Sequence, residues 1–285
     1  MIENLLNNDI SDNRNSSPFE IFQVAALQMV SSPDIMENLQ VAAELIETAA
    51  NGGATLISLP EYFCFMGQKD TDKWALKEEE GDGPIQRFMS AQAQRHKVWI
   101  AGGTIPLSAP ADDRVFNTAL VWGPDGQSRA RYDKIHLFKF AKGKESYDES
   151  HAIRPGSQPV TLDVGGARVG LSVCYDLRFP ELYRAMQKRD LILVPAAFTY
   201  TTGRAHWELL LRARAVENQC YVLAAAQGGV HKNGRRTWGH SVLIDPWGEI
   251  VDILEEGAGV VGGTIDPLRL AEVRGFLPAL QHRVM

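Results

Sequence analysis

The sequence predicts an α/β fold, and three observations carry that prediction. Continuous apolar runs of strand length recur along the chain: FQVAALQM, ATLISLPE, DLILVPAAF and CYVLAAAQ. Segments with a helical apolar stripe stand between them, and no repeat, low-complexity stretch or linker divides the chain after about residue 20. A run that is apolar throughout, rather than alternating, suits a strand buried on both faces. At 285 residues the chain can bury about three quarters of its unfolded surface, so it needs neither metal nor disulfide to hold a core.

Residues 1–20, MIENLLNNDISDNRNSSPFE, are rich in Asn and Asp and lack both a basic start and a long apolar stretch. They read as a flexible tail rather than a secretory signal, which leaves 21–285 as one folded domain. Phe22 to Met29 is the first strand. A helix follows: Ser32 can cap it, Pro33 suits its first position, Ile35, Leu39, Ala42, Ile46 and Ala49 form a stripe, and Asn51-Gly52-Gly53 stops it. ATLISLPE is a second buried strand ending in Glu61, so the chain opens β-α-β. A helix from Pro84 to His96, a strand from Val98 to Ile105, and a hairpin of FNTALVWG with SRARYDKIHLF around Pro124-Asp125-Gly126 come next.

A polar loop runs from Lys139 to Gly156, followed by the strands PVTLDV and ARVGLSVCYD about Gly165-Gly166. PELYRAMQKR is helical, DLILVPAAF a strand, AHWELLLRARAVENQ a helix and CYVLAAAQ a strand. Thr201 and Thr202 can cap the helix beginning near Arg204, and Leu209, Leu210 and Val216 give it a core-packing face. Two last strands flank Asp245-Pro246-Trp247-Gly248, and a short helix begins near Pro267.

Composition narrows the function. Lys and Arg number 29 against 35 Asp and Glu, a formal charge of −6, which offers no basic field for a phosphate backbone, so no nucleic acid partner is expected. No apolar run approaches the ~20 residues of a membrane-spanning helix. Cys64, Cys174 and Cys220 are odd in number and lack CxxC spacing, which argues against a disulfide framework or a structural zinc and for a reducing, cytoplasmic setting. His136 has no second His or carboxylate at ligand spacing on its own element, so neither metal nor cofactor is expected.

In open α/β sheets, reactive groups gather where strands end. Three strand ends carry unusual residues: Glu61, Lys134 and Cys174. Cys174 is followed within a few residues by a helix, a geometry that exposes the sulfur and aims backbone N–H groups at it. A thiol of pKa about 8.5 is only a few per cent ionised at neutral pH, so a nucleophilic cysteine needs a base or a cation beside it. Glu61 and Lys134 are candidates for those roles. Cys220 lies in an apolar strand, and Cys64, in FCFM, reads mainly as pocket wall.

The phrases SLPEYF, YDKIHLF and CYDLRFPE, with the three residues 73 and 40 positions apart, resemble the nitrilase superfamily of carbon–nitrogen hydrolases over roughly residues 20–280. The resemblance implies a four-layer α-β-β-α sandwich that assembles as a homodimer or larger homo-oligomer. It implies Glu61 as general base, Lys134 as oxyanion stabiliser with the Tyr175 N–H, and Cys174 as nucleophile. ESHAIRPG matches the phrase of the family's second active-site glutamate, Glu149; Glu145-Ser146 is a decoy four residues too early.

Within the superfamily, LLRARAVENQCYVLAAAQ and GHSVLIDPWG look like the deaminated-glutathione amidase branch. The implied substrate is a small amide, deaminated glutathione, cleaved to 2-oxoglutarate and Cys-Gly. The alternatives are an omega-amidase acting on α-ketoglutaramate, another carbon–nitrogen hydrolase, or, in a different class, a catalytically silent binding module. Loss of catalysis predicts a substituted triad, and here all three residues are present. A papain-like Cys–His hydrolase lacks its accompanying phrases. For a keto-acid substrate, Arg178, at the start of the helix after Cys174, is the candidate carboxylate ligand, and Phe198 and Thr199 are candidates for the acyl pocket.

Overall fold

The computed structural model describes residues 19–110, 113–143, 145–186 and 189–284. Of the expected tail, residues 1–18 lie outside the described residues. Phe19 is buried, its ring edge-on to Phe22 with centroids 5.9 Å apart.

Two sheets form the centre. The first runs Gly259–Ile265, Phe22–Gln28, Leu56–Ser58, Trp99–Ala101, Val115–Trp122 and Ile105–Ser108, with Ser128–Asp133 also pairing on Val115–Trp122. The second runs Ile250–Leu254, Ser241–Ile244, Tyr221–Ala226, Leu191–Ala196, Ala167–Leu171 and Val160–Val164. In each, three successive strands are parallel: those starting at Phe22, Leu56 and Trp99, and those starting at Ala167, Leu191 and Tyr221.

Strand alternation sorts the layers. Val24 and Ala26 point into a core shared with the second sheet, whereas Ala25 and Leu27 point to a core shared with Ala42, Ile46 and Ala49 of helix Ile35–Asn51 and Met89 of helix Pro84–His96. Helices Pro180–Ala185, Tyr200–Asn218 and Pro267–Phe276 contribute Tyr183, Trp207, Leu211, Ala215 and Leu270 to the core of the second sheet. The fold is the α-β-β-α sandwich.

Several expectations need correction at element ends. The first helix is capped by Asp34, whose carboxylate accepts from the Met36 and Glu37 N–H groups, while the Ser32 hydroxyl accepts from Asp34 N. The strand expected from Val98 to Ile105 is two strands broken at Gly102-Gly103. Gly103 has φ +56°, and a Cβ there would lie 2.0 Å from the Pro60 carbonyl oxygen. The polar loop contains a hairpin, Lys139–Lys142 with Glu145–Asp148, and a 3₁₀ turn, Glu149–His151. Helix Tyr200–Asn218 starts four residues early and is capped by Thr199, not Thr201 or Thr202. Leu209 and Val216 are exposed; its core side is Trp207, Leu211 and Ala215. The strand Gly259–Ile265 and the hairpin Gly228–Val230 with Arg236–Trp238 were not anticipated.

Candidate active site

Lys134 follows the strand Ser128–Asp133 and is fully buried. Its Nζ donates to Glu61 Oε1 at 2.9 Å and to Glu149 Oε2 at 2.7 Å. Burial alone would depress the ammonium, but the charges of Glu149 and Glu61 outweigh it and hold its pKa well above the usual lysine value. Burial works on Glu149 in the opposite sense to Lys134, and the lysine prevails, keeping that carboxyl below the ordinary glutamate range. Glu149 Oε2 also accepts from the Phe138 N–H at 2.8 Å, and its Oε1 from the Tyr62 hydroxyl at 2.9 Å.

Cys174 does not lie within its strand, which ends at Leu171; it begins a 3₁₀ turn, Cys174–Arg178. Its φ is +50°, a left-handed conformation that costs a non-glycine residue about 1 kcal/mol and turns the chain at once. Contrary to the expected exposure, the residue is buried, 7% accessible. Burial first, then the Glu61 charge, push the thiol well above its ordinary value; Lys134 opposes them, and a hydrogen bond to Glu61 adds to the rise. The resting sulfur is therefore a neutral thiol poised beside a carboxylate. Cys64 and Cys220 are also buried, each with its thiol pushed up to about 12, first of all by burial.

Side chains not singled out from sequence fix this geometry. Asn117 Nδ2 donates to Glu61 Oε1 at 2.8 Å and to the Tyr62 hydroxyl at 3.0 Å, and the Ala197 N–H donates to Glu61 Oε2 at 3.0 Å. Tyr62 itself has φ +57°, and its N–H donates to Thr104 Oγ1 at 3.0 Å. The tight passage of Gly103 against Pro60 brings Thr104 to that position. Lys73, also buried, holds its Nζ 4.2 Å from the centre of the Tyr62 ring; burial lowers its pKa. The one sequence signal for Asn117 is an amide within the largely apolar run VFNTALVW, where the strand Val115–Trp122 buries it.

Two cavities meet at Cys174. A small one is lined by Cys174, Tyr175, Arg178, Phe198 and Thr199; a larger one by Glu61, Glu149, Cys174, Tyr147, Arg235 and Arg236. Arg178 ends the 3₁₀ turn rather than starting a helix, which begins at Pro180. Its guanidinium carbon stands 5.5 Å from the Phe198 ring centroid and 5.7 Å from that of Tyr175, and its Nη1 and Nη2 each lie 3.3 Å from His206 Nδ1. Among the described residues, no group of three His, Cys, Asp or Glu side chains is placed to hold a metal ion.

A carboxylate, an ammonium and a thiol converging at buried positions make a site for acyl transfer from an amide. The carbon–nitrogen hydrolase family model matches residues 23–275, and the chain belongs to that family, the nitrilase superfamily, as a hydrolase of carbon–nitrogen bonds other than peptide bonds. Its similarity runs to the deaminated glutathione amidase of Synechocystis, 44% identical over 270 residues, covering 92% of this chain and 98% of that protein. The mouse omega-amidase is 37% identical, covering 92% and 95%. Among solved structures, Saccharomyces cerevisiae Nit3, a member of branch 10 of the nitrilase superfamily, superposes with a TM-score of 0.85 at 32% identity, covering 95% of this chain and 99% of that one.

Proposed function

We propose that the protein hydrolyses deaminated glutathione to 2-oxoglutarate and Cys-Gly through a thioester on Cys174. The observation that carries the reading is the junction of Glu61, Lys134 and Cys174 at two cavities, one of which ends at Arg178. Glu61 takes the thiol proton as sulfur attacks the amide carbon, and the carbonyl electron pair moves to oxygen. The Lys134 ammonium and the Tyr175 N–H hold that oxyanion. Its collapse breaks the C–N bond while Glu61 returns the proton to the departing nitrogen, leaving the acyl group on sulfur. Glu61, with Glu149, then takes a proton from water as its oxygen attacks the thioester carbon; the C–S bond breaks, and Glu61 returns the proton to the departing sulfur, restoring the thiol.

Arg178 is assigned to the keto-acid carboxylate, and Phe198 and Thr199 to the wall of the acyl cavity. The Thr199 hydroxyl oxygen accepts from the Thr202 N–H at the helix cap, which fixes the side chain in the cavity wall. Residues 21–285 act as one hydrolase unit. The exposed Leu209, Val216, Trp247, Phe276 and Leu277 are assigned to contact with a second copy, Trp247 and Phe276 already meeting edge-on at 5.2 Å. Three unpaired cysteines suit a reducing cytoplasm; no helix among the described residues is long and apolar enough to cross a membrane.

The deciding experiment is release of 2-oxoglutarate by the purified protein, from deaminated glutathione and from α-ketoglutaramate in parallel. Higher kcat/KM on deaminated glutathione is expected; the reverse order moves the protein to the omega-amidase reading.

A further inference from the structure

Arg178, Phe198 and Thr199 serve the acyl side of Cys174, and the other side has no task. Were the nitrogen to depart as ammonia, nothing beyond the sulfur would be required. Yet the larger cavity runs on from Cys174 to Tyr147, Arg235 and Arg236. Besides Glu61 and Glu149, the charged side chains that line it are Asp70, Arg235 and Arg236.

Both arginines are held from behind. Arg235 Nη2 donates to Asp70 Oδ1 at 3.0 Å, and its guanidinium carbon lies 5.9 Å from the centre of the Tyr147 ring. Among the described residues that is the only side-chain hydrogen bond of Arg235, so Nε and Nη1 keep their protons available. Asp70 is shared with the buried Lys73, 3.5 Å away, which dilutes its hold on Arg235. Arg236 lies on the Tyr200 ring with its guanidinium carbon 3.9 Å from the ring centre, and its Nη2 is 3.5 Å from Glu256 Oε1. Guanidinium groups anchored in this way lose little freedom when they take a ligand, and their planar fork matches a carboxylate.

We infer that Arg235 and Arg236 bind a carboxylate carried by the departing amine, making this a two-ended site in which Arg178 takes one end of the substrate and the arginine pair the other. The inference deepens the proposed function and rests on it. A two-residue leaving group reaches about 7 Å when extended, and the cavity that starts at Cys174 is also lined by Arg235 and Arg236. The pair is thus assigned the glycine carboxylate of the Cys-Gly half.

The test compares deaminated glutathione with the same compound capped as its glycine amide, on the full chain and on Arg235→Gln/Arg236→Gln. The unaltered protein should prefer the free acid by at least tenfold in kcat/KM, and the double variant should lose that preference. Arg236→Gln alone, at an exposed position, should show part of the effect and keeps the test valid if the double variant fails to fold. Equal rates on the two substrates with the unaltered protein, or a preference that survives in a folded variant, overturn the inference. No hydrolysis of deaminated glutathione by the unaltered protein would instead remove the substrate reading, and this inference with it.

Discussion

The Tyr132 hydroxyl donates to Asp176 Oδ2 at 2.6 Å, tying the strand that leads to Lys134 to the turn that begins at Cys174. Each partner stands two residues from an active-site group, and they come from different sheets. Fully buried Asp176 also accepts from Val173 N at 2.9 Å, from His136 N at 3.0 Å, and pairs with His136 Nδ1 at 2.7 Å; the His136 ring stacks on Phe179 at 3.7 Å. Tyr132→Phe should cost about 1.5–3 kcal/mol, the worth of a hydrogen bond to a charged group. It should also lower kcat, because the ammonium and the sulfur lose their common tether. Urea unfolding and turnover measured together check this; a stability loss with unchanged kcat would make the contact purely architectural.

Cys174→Ala and Cys174→Ser should both abolish turnover, since alanine has no nucleophile and a serine hydroxyl ionises far less readily beside a carboxylate. Melting curves should stay close to the original, because the thiol is not a core keystone. Cys64→Ser serves as a contrast, removing a buried sulfur that has no part in the chemistry. Activity surviving in Cys174→Ala would displace the nucleophile to another residue.

Lys134→Met should damage both chemistry and fold. Removing one partner of a buried ion pair leaves charge without compensation, a loss of about 3–5 kcal/mol, and here two carboxylates are stranded. The missing oxyanion donor should cost on the order of 10²–10³ in kcat. Chemical denaturation and steady-state rates separate the two effects.

The pH dependence of stability has a definite sign. Glu149 is held below its unfolded value by Lys134, so its contribution is fully present above the unfolded pKa of 4.5 and is lost as pH falls through the lower folded value. Lys134 is raised above 10.5, so its contribution is complete at neutral pH and fails only at strongly alkaline pH. His231 is held below 6.5, chiefly by burial, so folding also weakens as pH drops from 6.5 toward its folded value. A stability profile from pH 7 to 3 should therefore fall in two stages, and Glu149→Gln should flatten the more acidic one.

Arg178→Lys should lower kcat/KM for deaminated glutathione at least tenfold, about 1.4 kcal/mol, with little change on a small neutral amide. A lysine cannot copy the guanidinium fork, nor its place over the Phe198 and Tyr175 rings. Equal losses on both substrates would make Arg178 a scaffold residue.

The parts legible in the sequence are those that depend on local pattern. The continuous apolar runs locate the parallel strands, and Glu61, Lys134 and Cys174 fall at or just beyond strand ends, where polar residues interrupt apolar runs. What the sequence hides are contacts between distant segments. Asn117 reaches Glu61 across 56 residues and the Ala197 N–H reaches it across 136, so neither partner can be read from its own neighbourhood. The burial of Cys174 and the 3₁₀ turn that begins at it are hidden for the same reason, since the residues lining its cavities, Glu61, Tyr147, Phe198 and Arg235 among them, come from distant segments. Strand Gly259–Ile265 is hard to read because its first five positions, GVVGG, are all glycine or valine, and its partner lies at the opposite end of the chain.

Glu61 leaves the first sheet and Cys174 the second, so the pair exists only after the two sheets have closed on each other. During synthesis, or in a chain that has opened along that seam, Cys174 is an ordinary thiol with no base at hand. On the proposed mechanism, reactivity is in this sense the last thing the chain acquires. An amide-mimicking electrophile that reacts only with the assembled site would then count correctly closed sandwiches, one label per finished active site.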